Sequence, residues 1–94
     1  MSYRIRAARK IRRQLRELPG NVRNIARQRM LSLAGQPRPD DARDHPSYYR
    51  LWISGRFRLI WQVIDDEAMV DILYVGPKRS DLYERLGLGR MEKA

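Results

Sequence analysis

Residues 49–75 read YRLWISGRFRLIWQVIDDEAMVDILYV, and their period decides the fold. Apolar and polar side chains alternate with a period of two, the mark of strands with one face buried. The reading gives three strands: Tyr49–Ser54, Arg56–Ile64 and Met69–Val75. Gly55 breaks the first from the second, and Asp65-Asp66-Glu67 forms a polar turn before the third. Connections this short allow only antiparallel neighbours, because a parallel crossover needs about a dozen residues. In the middle strand Phe57, Leu59, Trp61 and Val63 share one face, while Arg58, Ile60, Gln62 and Ile64 share the other. The wholly apolar set should meet the core, which sends Arg58 to the opposite side. In the preceding strand Tyr49, Leu51 and Ile53 alternate with Arg50 and Trp52, so Arg50 joins Arg58 there.

Upstream the period lengthens to that of helices. Tyr3–Arg6 alternates as a short strand. Over Ala8–Leu18, Ile11, Leu15 and Leu18 recur at four and three residues, a helical stripe. Pro19-Gly20 ends it. A second helix is predicted over Asn21–Ala34, with Asn21 as its N-cap, Gly35 as its stop and Val22, Ile25, Ala26, Met30 and Leu33 along one side. The two form a helical hairpin. Gln36–Ser47 (QPRPDDARDHPS) holds three of the five prolines and is read as a loop. Gly76-Pro77 should end the last strand, and Asp81–Leu86 a short C-terminal helix. The expected fold is α+β, in the order β-α-α-β-β-β plus that helix: a small antiparallel sheet of about four strands, with the helical hairpin packed on one face. The other face is open or covered only by the C-terminal segment. Residues 1–94 are read as a single domain.

Composition narrows the function. Twenty basic and eleven acidic residues leave a net charge of +9, and seventeen of the twenty are Arg. Ten of the basic residues lie in Arg4–Arg29 against one acid, Glu17. Such a field favours polyanionic partners, and Arg suits bidentate contact with phosphate. There is no cysteine, which excludes disulfides and thiolate metal sites and suits a reducing cytoplasm. No apolar run is long enough to span a membrane. The basic N-terminus lacks the serine of a transit peptide and its periodicity runs on into the domain, so it is read as mature protein. His45, the only histidine, is read as an ordinary loop residue, and Asp65, Asp66 and Glu67 as a solvated turn rather than a metal cluster. No cofactor is expected.

On the open face Arg50 and Arg58, with Lys78, Arg79 and Tyr83 following the last strand, form a candidate cluster. Trp52 and Tyr74 are its possible stacking partners. Interleaved arginines and aromatics suit RNA, whose unpaired bases stack on rings while its phosphates pair with the charges.

The same residues resemble a known family. The run YYRLWISGRFRLIWQVIDDEAMVDILYVGPKRSDLYERL is similar to the C-terminal half of RelE/ParE-superfamily toxins. Those share a Tyr-Arg-Leu strand, a Gly-x-Tyr/Phe-Arg-hydrophobic strand, an acidic turn and a Val-Gly…Arg…Val/Leu-Tyr ending. Tyr3 and the Leu-Pro break between the helices extend the likeness to about residues 3–86, and RLIWQVIDDEAMV is closest to the RelE branch. The resemblance implies a metal-independent endoribonuclease that cleaves mRNA in the ribosomal A site and is held inactive by an antitoxin, in the cytoplasm, with a toxin–antitoxin hetero-oligomer as the form of the complex. It maps Arg58 onto the conserved sheet arginine, Arg50 onto a basic strand residue, Lys78 or Arg79 onto the basic residue after Val-Gly, and Tyr83 onto the late aromatic. Trp52 stands where such sites often carry a second basic residue. In cleavage by the substrate's own 2′-OH, Arg58 and Arg79 would neutralise transition-state charge, Arg50 would position the backbone, and Lys78 is the titratable candidate for proton transfer. Tyr83 would stack on a base or assist a proton transfer. A ParE-like inhibitor of DNA gyrase, sharing the fold without catalysis, is the alternative, and an inactive binding homologue a third.

Overall fold

The computed structural model describes residues 2–79 and 82–87, the side chains of 83 and 84 excepted. In chain order the elements are β1 (Arg4–Arg6), α1 (Arg9–Arg16), α2 (Gly20–Ser32), β2 (Arg43–His45), β3 (Tyr48–Ser54), β4 (Phe57–Ile64), a 3-10 turn (Asp65–Glu67), β5 (Met69–Pro77) and α3 (Leu82–Arg85). The strands form one five-stranded sheet in the order β1-β5-β4-β3-β2. The α+β class and the meander of β3, β4 and β5 stand as read from the sequence.

Two expectations about the sheet need correction. It has five strands rather than about four, and it is mixed: β1 runs parallel to β5, with Ile5 opposite Val70. The intervening helices and strands supply the long crossover that a parallel pair demands. The fifth strand, β2, lies inside the segment read as loop. It pairs antiparallel with β3, Arg43 opposite Arg50 and His45 opposite Tyr48. Arg-Asp-His has no apolar alternation to reveal it, and a short charged strand is what a sheet edge tolerates.

Leu59 and Trp61 of β4 are fully buried with Ile11, Leu15 and Leu18 from the first helical segment and Val22, Ala26, Met30 and Leu33 from the second. Phe57 and Val63 pack against the same cluster, so the period-2 assignment of β4 places the helical hairpin as expected. Arg23 closes the corner between the helices. Its guanidinium donates to the carbonyls of Leu15, Arg16 and Leu18, at and just after the end of α1. Asn21 is not the N-cap of α2; the helix begins at Gly20 behind Pro19, and no side chain caps it. The geometry at Pro19 fits proline's fixed φ just ahead of a first turn. The helix ends at Ser32, before the expected Gly35.

On the other face Tyr48, Ile60 and Leu82 form a second, smaller cluster with Leu73, Tyr74 and Leu86. The C-terminal helix therefore covers part of this face. Asp81, expected near its start, lies outside the described residues. A register shift between Ile60 and Trp61 pairs Ile60 with Tyr74 but Trp61 with Ile72, which keeps Ile72 in the large core and Tyr74 on the second face. Gly76-Pro77 does not end β5 but completes it, with Arg58 opposite Gly76 and Phe57 opposite Pro77.

The Asp65 turn is more than a solvated loop. Asp65 accepts from the Tyr3 hydroxyl at 2.6 Å and from Arg38 at 2.7 Å, and Arg38 also donates to the Tyr49 hydroxyl at 2.7 Å. These bonds hold the Asp65 carboxyl below its ordinary pKa, Arg38 first and Tyr3 second. The buried Trp61 donates its indole N–H to the Pro37 carbonyl at 3.0 Å. Together they fasten the 36–41 segment across the sheet.

Candidate nucleic-acid interface

Strand register places the site. Across β5, β4 and β3, one row on the second face runs Gly76, Arg58, Trp52. The next runs Tyr74, Ile60, Arg50 and, on β2, Arg43. Directly paired residues share a face, so three arginines and a tryptophan collect beside the Tyr48–Ile60–Leu82 cluster. Arg43, Arg50, Trp52 and Arg58 line one concavity of about 270 Å³, with Leu51 and Asp41. Arg43 is the member that sequence reasoning missed. The only signal for it is the pairing of β2, which the sequence does not display.

Arg58 is only 8% exposed, although it carries a full charge. Its guanidinium carbon lies 3.9 Å from the centre of the Trp52 ring, close enough to stack flat on the indole. An arginine cation over tryptophan is worth about 2 kcal/mol when desolvated, which offsets part of the penalty of burial. Trp52 itself stays 52% exposed. It thus performs two tasks in one place, holding Arg58 and presenting an aromatic surface to solvent.

Like charges directly across two strands repel by some tenths of a kcal/mol, and Arg43 faces Arg50 in this way. The carboxylate of the concavity, Asp41, accepts from Arg29, whose Nη2 donates to both of its oxygens at 2.6 and 2.8 Å. That pairing holds the Asp41 pKa down, chiefly through its hydrogen bonds. The concavity is lined by three guanidinium groups, which suit an anion with several acceptor oxygens.

The remaining predicted residues lie elsewhere. Arg79 and Tyr74 line a separate groove of about 620 Å³ at the end of β5, with Arg56 and Arg85 among its other cations. Lys78 is exposed; its backbone N–H donates to the Arg56 carbonyl at 2.8 Å, extending the ladder one step beyond the strand. The structure therefore gathers Arg50, Trp52 and Arg58 in one concavity and sets Arg79 in a groove beside it. Tyr83 belongs to α3, but its side chain lies outside the described residues. His45 stacks on Tyr48 with ring centres 4.4 Å apart, and its Nδ1 accepts from the Ser47 N–H. It is built into the edge of the sheet rather than into the arginine concavity. Among the described residues no group of His, Cys, Asp or Glu could hold a metal ion, and no helix is long and apolar enough to cross a membrane.

A helical hairpin on one face of a mixed five-stranded sheet, with arginines gathered on the other, is the RelE type of α+β fold. Comparison with solved structures bears this out. A mutant E. coli RelE toxin in the free state superimposes with a TM-score of 0.76 at 22% identity, covering 96% of this chain and 98% of that one. The isolated E. coli RelE toxin gives 0.69 at 26% identity, with coverage of 96% and 99%. The RelE–RelB complex of the archaeon Pyrococcus horikoshii gives 0.70 at 20% identity, covering 85% and 99%. The chain is RelE-like, as its sequence motifs suggest. No protein-family model matches the sequence, and no curated protein matches it either.

Proposed function

We propose that this chain is the toxin of a type II toxin–antitoxin module: an endoribonuclease that cuts mRNA in the ribosomal A site and so stops translation in the cytoplasm. The observation that carries the reading is the concavity of Arg43, Arg50, Trp52 and Arg58 on a RelE fold. It joins phosphate-binding guanidinium groups to an aromatic surface, and a single-stranded RNA offers both kinds of complement. The fold similarity to RelE toxins and to a RelE–RelB complex supports the class and an antitoxin partner.

In the proposed reaction the substrate's 2′-oxygen attacks the adjacent phosphorus. The O2′–P bond forms, the P–O5′ bond breaks, and the products end in a 2′,3′-cyclic phosphate and a 5′-hydroxyl. The nucleophile is internal, so no metal-bound water is needed. Extra negative charge gathers on the phosphorane oxygens, and Arg58, already desolvated and oriented by Trp52, is the group to neutralise it. Arg79 adds charge from the neighbouring groove. Arg50 and Arg43 hold the flanking backbone, and the free face of Trp52 stacks a base. Arginine stays protonated at neutral pH and moves protons poorly. Lys78 is therefore assigned to proton transfer, and Tyr83 to stacking or assistance.

Primer-extension mapping of cellular transcripts after induction tests the reading. The wild-type chain should produce codon-phased cuts, and Arg58→Ala should abolish them. Intact transcripts accompanied by an SOS response would replace it with a ParE-like action on gyrase.

A further inference from the structure

The end of β5 is held by more than its pairing with β4. β1 reaches only as far as the Arg6–Asp71 pair, so beyond it the outer edge of β5 has no strand partner among the described residues. Pro77 has no N–H to give. Three contacts add to the β4 pairing. Gln14 of α1 accepts from the Val75 N–H at 3.2 Å, the Lys78 N–H reaches the Arg56 carbonyl, and the Tyr74 hydroxyl donates to the Pro77 carbonyl at 2.7 Å. The last of these closes a small loop. The Tyr74 ring folds back over Gly76 so tightly that a Cβ there would sit 2.8 Å from the Tyr74 hydroxyl oxygen. A side chain at position 76 would have to displace the Tyr74 ring, so glycine leaves room for this close approach, and no unusual φ is involved.

We propose that Tyr74 is a positioning residue: its hydroxyl clasps the Pro77 carbonyl and thereby fixes the backbone that carries Lys78 and Arg79, just past the cross-strand partner of Arg58. The register supports this. Gly76, the residue under the ring, is the cross-strand partner of Arg58, and Lys78 and Arg79 follow at once. Arg79 is also near enough to oppose the rise that burial imposes on the Tyr74 pKa. The hydroxyl is occupied and the ring packs against the Tyr48–Ile60–Leu82 cluster, so Tyr74 acts through Pro77 rather than as a platform for a base. The consequence for catalysis rests on the ribonuclease reading. The clasp itself does not.

Tyr74→Phe separates the two roles, because phenylalanine keeps an aromatic face and loses only the bond. Single-turnover cleavage of mRNA on programmed ribosomes should show kcat lowered about tenfold with KM within about twofold, as expected when a reacting group is slightly misplaced. On the protein alone, trypsin nicking after Lys78 or Arg79, mapped by mass spectrometry, should become severalfold faster while the melting temperature changes little. Gly76→Ala, which pushes the ring away, should reproduce both effects. Wild-type kcat and wild-type nicking in Tyr74→Phe would overturn the proposal, as would a raised KM at unchanged kcat. Faster nicking in a protein that cuts no RNA would leave the clasp standing and remove the ribonuclease reading instead.

Discussion

Arg58 is the residue on which burial, charge and register converge. It is the buried charged side chain among the described residues, and its guanidinium carbon sits over the Trp52 ring of the neighbouring strand, 3.9 Å from its centre. Lysine cannot replace it, since an ammonium group neither stacks nor presents a planar fork to a phosphate. On the proposed reading Arg58→Lys should lower cleavage at least about a hundredfold, the scale of removing one oriented donor from a developing anion. Trp52 separates orientation from stacking. Trp52→Phe keeps a ring beneath the guanidinium and should retain most activity, whereas Trp52→Ala should lose about tenfold or more in kcat as Arg58 is released. Rates measured under single-turnover conditions decide between them, and equal activity of the two variants would show that the stack is incidental. Arg58 and Trp52 were both visible in the sequence, because alternation alone assigns them to the face opposite Leu59 and Trp61. Arg43 was not. Its place depends on a strand with no hydrophobic residue, and only backbone pairing with β3 defines it.

Elements differ in how openly the sequence declares them. The helical hairpin and the meander each bury a periodic apolar face, so their positions could be read directly. The parallel partnership of β1 with β5 could not, since it joins residues more than sixty positions apart and has no turn to announce it. The polar network across the Asp65 turn was equally hidden, because a hydrogen bond between Tyr3 and Asp65 depends on the folded sheet. That network makes a prediction with a definite sign. The Asp65 carboxyl is held below its ordinary pKa by Arg38 and Tyr3, so the folded state binds its proton more weakly than the unfolded chain does. The resulting stability is present above the ordinary carboxylate pKa of about 4 and is lost as pH falls through the depressed folded value. Thermal melting from pH 7 down to pH 2.5 should show a decline for wild type that begins below about pH 4. In Asp65→Asn that limb should be flatter, with a lower melting temperature at neutral pH. Superimposable acid limbs would mean that the exposed pair contributes nothing measurable, as many surface pairs do. Asp41 with Arg29 contributes to the same limb, so the Asn variant should reduce it without abolishing it.

At the scale of the whole molecule, two of the surfaces behind the net charge of +9 can be set against each other. One is the concavity of Arg43, Arg50 and Arg58. The other is α1, where Arg9, Arg12, Arg13 and Arg16 are all exposed, with Lys10 at the rim of the groove at the end of β5. Both attract a polyanion, but only contacts to phosphate release counterions, and for a single strand each contributes about 0.7 to the slope of log affinity against log salt. Fluorescence anisotropy of a 2′-O-methylated, uncleavable single-stranded RNA between 50 and 300 mM KCl reads that slope. If the strand lies in the concavity, Arg43→Ala and Arg50→Ala should each weaken binding and flatten the slope by about 0.7. Arg12→Ala and Arg13→Ala should then lower affinity slightly, through the long-range field alone, and leave the slope as it was. A slope that responds to the helix variants and ignores the concavity would move RNA binding to the hairpin. Such a result would also reverse the expectation for the antitoxin. On the proposed reading, an antitoxin that silences the protein by covering its RNA surface should present an acidic segment that competes with the oligonucleotide and protects the same arginines whose removal changes the slope.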